Sequence, residues 1–406
     1  VNYLKGLEAQ TRKDPKCFPR EPGDDGSAQA ATDALRYVCD DQDWDAKRSE
    51  AFESIMVEGT GAVMVGVSQT RNGVDPSLVC IPWDRLIYDP YSRRVDFSDA
   101  SFMGIVTWLD MDEAVRRFPH AKDAIESTWT LARDSETYDD RPKHNLWADY
   151  KRKRVRLVEM YFLRDGQWMA ATFTRGGYLI EPTPSPYLDE EKQPENPIKA
   201  ISAYVDRDNN RYGELSSYLD TQDEINHRRS KALFLLSQRQ TFGNRGAVKD
   251  VPKAKRELAK PDGHLEVGQG EFGKDFGILP TGDMAEGQLQ LLQESKNEMD
   301  GRTIPGAMAN DTKQFGELSG VALQRLEQAG MRDVIILFEN FGAFKLRVYK
   351  QIWNRIRQSW TQEKWVRVTD DEEKLRWVGF NVEITMQQYL QEIMDDTSQP
   401  RALRLG

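Results

Sequence analysis

Residues Leu318 to Trp360 contain no proline, and the apolar side chains Val334, Leu337, Phe341, Phe344, Val348, Ile352, Ile356 and Trp360 recur there in steps of three and four. That spacing lays one stripe along an α-helix. A continuous helix over the stretch would measure roughly 60 Å at 1.5 Å per residue, and helices well past about 25 residues belong to coiled coils, membrane spans or large assemblies. The stripe drifts too far for a strict heptad, and Arg325, Arg332, Lys345, Arg347, Lys350, Arg355 and Arg357 exclude lipid burial. A spine within an assembly is what remains.

A chain of 406 residues has room for two or three domains. Lys and Arg total 56 against 66 Asp and Glu, a net charge of −10, so no general basic footprint marks a nucleic-acid binder. Ten Trp, fourteen Tyr and sixteen Phe are too many for a disordered chain. Cys17, Cys39 and Cys80 stand at unrelated spacings that suit neither a disulfide framework nor a zinc site, so a reduced, cytoplasmic origin is expected. No leader pattern or membrane-length apolar run is found, and the chain opens on Val1 rather than Met, which predicts that its true start is missing.

Residues 1–25, rich in Pro, Gly and charge, read as an arm or loop without a core. Ala28, Ala31, Leu35 and Val38 mark one helix, and Phe52, Ile55 and Met56 a second that stops near Gly59. Strands are expected at Thr60 to Val67, at Leu78 to Tyr88 around a Pro-Trp turn, and at Phe102 to Leu109. A short helix follows from Met111 to Phe118, then strands at Arg154 to Leu163, Gln167 to Arg175 and Tyr178 to Ile180. This is a mixed α+β body, after which Pro182, Pro184, Pro186, Pro194 and Pro197 predict a connector.

From Glu214 to Gln240 there is no Gly or Pro, with apolar Leu215, Leu219, Ile225, Ala232 and Leu236, acids early and bases late, an order that suits a helix dipole. Thr241 to Ala285 is a Gly-rich excursion with short β-like pieces at His264 to Val267 and Phe276 to Leu279. A return helix, Glu286 to Thr303, places Leu289, Leu292, Lys296 and Met299 on one side. A loop from Ile304 to Glu317 leads into the long helix. Lys364 to Thr369 and Arg376 to Thr385 read as strands, and the tail from Gln387 begins a helix that looks cut short.

Gly59-Thr60-Gly61 with Gly66 has neither the spacing nor the strand-before-helix context of a dinucleotide loop, which favours a helix-stop glycine. His120, His144, His227 and His264 show no metal-ligand spacing, and neither an ATPase phosphate loop nor a nucleophile elbow is present. The acidic pairs Asp24-Asp25, Asp40-Asp41, Asp139-Asp140 and Asp395-Asp396 are sequence neighbours whose side chains diverge, so solvated charge is the better reading than a metal site. Phe338, Phe341, Phe344, Tyr349, Trp353 and Trp360 repeat at helical spacing, which favours core packing over a stacking platform for single strands.

This element order, with the Asp220-Thr-Gln-Asp223-Glu-Ile-Asn226 run and Arg228, Arg229 and Ser230, resembles the portal proteins of tailed bacteriophages, the short-tailed branch in particular. Ser319-Gly320-Val321-Ala322-Leu323, Ile81-Pro82-Trp83-Asp84 and Asp89-Pro90 add to the likeness, which spans roughly Ser27 to Thr385. The resemblance implies a portal-type α+β fold: an N-terminal arm (1–26), a wing (27–211) and a stem helix (212–240). It continues with a clip (241–285), a second stem helix (286–303), a tunnel loop (304–317), a long helix with return strands (318–386) and the start of a crown (387–406). It also implies a dodecamer around double-stranded DNA at one capsid vertex, meeting the terminase large subunit, a head-completion or tail adaptor protein, and the major capsid and scaffold proteins. No membrane, cofactor, metal or catalytic residue is expected.

By position, the tunnel loop would bring Asp311, Lys313, Gln314 and Phe315 to DNA. The clip would dock the motor and adaptor through Arg245, Lys249, Lys253, Lys255, Arg256 and Lys260, and the stem would carry Asp220, Asp223, Asn226, Arg228 and Arg229. Twelve chains at −10 each carry about −120, which favours sliding of the duplex over tight binding. Lys313 is either a contact to the phosphate backbone or a solvated lysine. A metal-dependent nuclease or packaging-related hydrolase, and a scaffold with no DNA channel, are the alternatives from other classes.

Overall fold

The computed structural model describes residues 1–19, 25–70, 73–133, 146–237, 241–244, 246–258, 260, 264, 274, 276–278, 282–302, 334–361, 364–369 and 375–380. The chain divides into two units, Val1–Glu214 with Ile336–Gly406, and Leu215–Ile335. Helix and sheet are mixed, as expected. The expected tunnel loop, the first part of the long helix, the strand at 265–267 and the tail beyond 380 lie outside the described residues, as does Arg245.

The first unit opens with α1 (Asn2–Gln10), α2 (Asp25–Asp41) and α3 (Trp44–Val57). Strand β1 (Thr60–Thr70) then pairs antiparallel with β2 (Gly73–Ile81). The second sheet takes in β3 (Leu86–Tyr88) and β4 (Phe102–Asp110). After α4 (Met111–Arg117) and α5 (Lys122–Arg133) it continues through β5 (Ala148–Asp149), β6 (Arg154–Arg164), β7 (Gln167–Thr174) and β8 (Gly177–Pro184). Its order is β3-β4-β6-β7-β8 with β5 beside β6. β9 (Ile198–Ser202) returns to pair with β1, and a small β10 (Tyr204–Val205) and β11 (Arg211–Tyr212) pair follows.

In the second unit come α6 (Ser216–Ser237), β12 (Thr241–Gly243), α7 (Val251–Leu258), β13 (Phe276–Ile278) and α8 (Gly282–Arg302). Apart from its first residue, α9 (Ile335–Ser359) belongs to the first unit, followed by the antiparallel pair β14 (Lys364–Thr369) and β15 (Leu375–Phe380).

The stripe read from sequence is the core of the first unit. Leu337, Phe341, Phe344, Val348, Ile352, Ile356 and Trp360 are all buried, against Leu35 and Val38 of α2, Trp44, Phe52 and Ile55 of α3, and Val63 and Leu78 of the first sheet. The Phe52 ring sits 4.9 Å from that of Phe341, and the Trp44 indole N–H donates to the Tyr349 hydroxyl at 3.1 Å. These aromatic residues pack the core, as their spacing predicts. Gly59, at φ 85°, closes α3, and a Cβ on Gly61 would stand 2.6 Å from Ile55 Cγ1 and 2.7 Å from Ala51 O. The two glycines serve a helix stop and a close helix–strand approach.

A second stripe of α9 is polar. Arg347 donates to Asp96 O at 2.7 Å and Ala200 O at 3.0 Å, Gln351 to Asn196 O at 2.9 Å, Arg355 to Leu188 O at 3.2 Å, and Gln358 to Pro186 O at 2.6 Å. Arg355, fully buried, also pairs with Glu195. The proline-rich segment is therefore no bare connector. It is a strap along α9, and it ends in β9, a sheet strand that the composition of the segment hides. Prolines carry no N–H, so such a segment is rich in unpaired acceptors, and guanidinium and amide donors on the helix match it.

The N-terminal segment also departs from expectation. α1 forms there, and its Glu8, only 2 % exposed, accepts from Arg12 at 3.0 Å and from Ser49 at 3.2 Å, with Arg48 at 3.5 Å. Lys5 pairs with Glu53 of α3 at 2.5 Å. Ion pairs rather than an apolar stripe hold this helix, so periodicity misses it. The Asp89 carboxylate accepts from the backbone N–H of Tyr91 and of Ser101, both at 2.9 Å, and so folds the turn at Asp89-Pro90.

Candidate functional site

The second unit holds the sites expected from sequence that fall among the described residues. α6 and α8 pack on each other. The chain leaves α6 into β12 and enters α8 from β13, and those two strands pair antiparallel, so the helices run in opposite directions.

Their contact is one narrow seam. Buried Thr221, Ile225 and Ala232 with half-buried Tyr218, Arg228 and Leu235 form it on α6, in steps of three and four. On α8 it is Gln288, Leu292, Ser295 and Met299. Of the apolar positions expected to face inward, Ile225, Ala232, Leu292 and Met299 do, whereas Leu219 and Leu236 are each 60 % exposed and Leu289 is 47 % exposed. Lys296 is exposed as well. The seam includes polar Thr221, Arg228 and Ser295, so the apolar residues alone give the wrong phase. Counting every residue at a three-four repeat would have found it.

Asp220, Asp223, Asn226 and Arg229 are exposed, and the structure brings none of them into a shared cluster. Arg228 instead donates through Nε to Glu224 at 2.7 Å, one turn away on the same helix.

Between the helices, β12 and β13 match Phe242 with Gly277, and a Cβ on Gly277 would lie 2.6 Å from Phe242 Cζ, so the ring covers the glycine. α7 was not expected in this excursion. Its N-terminus is capped by Asp250, whose carboxylate accepts from the Lys253 N–H at 3.0 Å, and Pro252 lies in the first turn. Asp-x-Pro was the available signal, masked by the glycines around it.

Three of the expected docking bases meet here. Lys253, Arg256 and Lys260 line a shallow concavity with Asp250, Pro252 and Glu257. Lys260 bonds Glu257 at 2.7 Å, and that bond holds the carboxyl below its usual range. Lys249 and Lys255 are exposed outside this concavity. Such a mixed-sign, solvent-facing surface suits a charged protein partner rather than bond chemistry.

Among the described residues, no three His, Cys, Asp or Glu are grouped to hold a metal ion. Burial pushes the Cys39 and Cys80 thiols up to about 12, so both are neutral near pH 7. His120 Nε2 lies 2.7 Å from Leu179 O, a structural contact. No helix among the described residues is long and apolar enough to cross a membrane.

Comparison with known families decides the reading. Residues 1–167 and 163–402 match the family model described as Phage P22-like portal protein. The chain belongs to that family. It is a phage portal protein, a structural head–tail connector component that functions in DNA packaging at the portal vertex of the virion. No curated protein matches the chain. The short-tailed likeness drawn from the sequence is consistent with this portal family.

Proposed function

We propose that copies of this portal protein close into a ring, a dodecamer by resemblance, whose central channel conducts double-stranded DNA inward during packaging and outward during ejection. The observation that carries this reading is the α6/α8 hairpin. It buries only a narrow, partly polar seam and leaves Leu219, Leu233, Phe234 and Leu236 between 55 % and 60 % exposed. A helix pair of that kind is completed by further copies rather than by water.

On this reading α6 and α8 are the stem and the segment from β12 to β13 is the clip. The concavity with Lys253, Arg256 and Lys260 docks the terminase large subunit and later the adaptor protein. Residues 304–317 form the tunnel loop, where Lys313 touches the phosphate backbone. Residues 27–211, with the return strands after the long helix, are the wing; the major capsid and scaffold proteins are partners, and assembly takes place in the host cytoplasm. The protein acts without cofactor, metal or catalytic residue of its own.

Native mass spectrometry with low-resolution class averages tests the reading. The expected result is a closed ring near twelve times 46.7 kDa, with a hole of roughly 20 Å or more, enough for a duplex on the scale of its grooves. A ring without such a hole would make the protein a scaffold. A monomer at all concentrations would overturn the ring.

A further inference from the structure

The seam divides the α6/α8 hairpin into two unlike sides. An α-helix turns about 100° per residue, so the residue after a seam position points to one side and the residue before it to the other. In an antiparallel pair the two "after" sides coincide on one broad side of the hairpin, and the two "before" sides on the opposite one.

The "after" side carries Leu219, Arg229 and Leu233 of α6 with Leu289 and Lys296 of α8. Among the described side chains its one acidic register position is Glu286, at the start of α8. The "before" side carries Asp220 and Glu224 of α6 with Leu291, Glu294 and Glu298 of α8, and one base, Lys231. One side is apolar with two bases, Arg229 and Lys296, along its middle; the other is acidic with a smaller apolar patch. Leu219, Leu233, Leu289 and Leu291 are 60 %, 59 %, 47 % and 40 % exposed, so both sides offer apolar area.

Two copies meeting by the same side would set acid against acid or base against base. Only unlike sides complement each other, which makes the contact heterologous, and heterologous contacts generate rings when the rotation closes. We propose that the Arg229, Leu233 and Lys296 side of one copy docks on the Asp220, Leu291 and Glu294 side of the next. This assignment rests on the ring reading and adds the polarity and the residues of the contact.

The test compares the parent chain with three variants by native mass spectrometry over a concentration series. The first carries Arg229→Glu with Lys296→Glu, the second Asp220→Lys with Glu294→Lys, and the third all four. These residues are exposed, and unchanged far-UV circular dichroism establishes that the helices persist. Each reversed pair is expected to raise the half-assembly concentration at least about tenfold, because like charges then face each other across the contact. The fourfold variant restores the complement and returns to near the parent value. If both pairs assembled like the parent, or the fourfold variant were no better than the weaker pair, the docking assignment would fall while the ring stood. A parent chain that never assembled would remove the ring reading itself.

Discussion

The indole N–H of Trp360, just beyond α9, donates to the carboxylate of Asp75 on β2 at 2.8 Å, across 285 positions of sequence. Thr70 donates to the same carboxylate at 2.9 Å, and Lys364 pairs with it while lying 4.6 Å from the centre of the Trp360 ring. Burial opposes the charge of Asp75, but the hydrogen bonds from Lys364, Trp360 and Thr70 outweigh it and hold the carboxyl below its usual range.

A free Asp titrates near about 3.9. Since the folded value lies lower, the stabilisation from Asp75 is complete above that pH and is lost as the pH falls through the folded pKa. Asp75→Asn is expected to cost about 1–3 kcal/mol at pH 7 and to flatten the acid-side decline. Denaturant titrations at neutral and acid pH, read by tryptophan fluorescence, check this; an equal acid-side decline in parent and variant would count against it.

Arg355 is fully buried, pairs with Glu195 and stacks 4.8 Å from the centre of the Tyr187 ring. Arg355→Met leaves the Glu195 carboxylate largely buried without its guanidinium and is expected to cost about 3–5 kcal/mol. Adding Glu195→Gln should recover only part of that loss, because Lys199, 3.6 Å from the same carboxylate, then loses its anion. A double variant as unstable as the single one would shift the weight to the carbonyl bonds instead.

Two glycines should respond in opposite directions to the same substitution. Gly61→Ala drives a methyl into Ala51 O and Ile55 and should cost about 1–3 kcal/mol. Gly342→Ala, inside α9 with nothing within 4 Å, should gain about 0.5–1 kcal/mol. Thermal midpoints of the two variants should move apart around that of the parent.

Removing the cap of α7 gives a local effect. Asp250→Ala should destabilise that helix by about 1 kcal/mol and speed amide exchange at Lys253 and Ala254, leaving exchange in α9 unchanged. Equal protection in parent and variant would mean that the cap contributes nothing.

Where apolar residues carry an element, the sequence was legible. The α9 stripe, the strands from β1 to β8 other than β5, and the existence of α6 and α8 follow from periodicity and turn residues. Elements held by polar contacts were not. α1 is fixed by Glu8 and its arginines, the strap by side chains reaching its carbonyls, and the α6/α8 seam runs through Thr221 and Ser295, none of which raises an apolar period. Periodicity likewise did not reveal α5, and β9 was obscured by the prolines before it. The portal reading came from element order and loose motifs, and the family match supports it without assigning roles to single residues.

The strap has an unequal tolerance to sequence change built into it. Four side chains on α9 reach it or the strand in which it ends, yet most of the hydrogen bonds they donate to it end on main-chain oxygens that every amino acid provides. Substitutions at Lys192 or Gln193 leave the joint intact as long as the path of the backbone is kept. Changes at Arg347, Gln351, Arg355 or Gln358 remove donors that nothing in the strap can replace. Variation along this joint should therefore collect on the strap and spare the helix, with Tyr187 and Glu195 the exceptions.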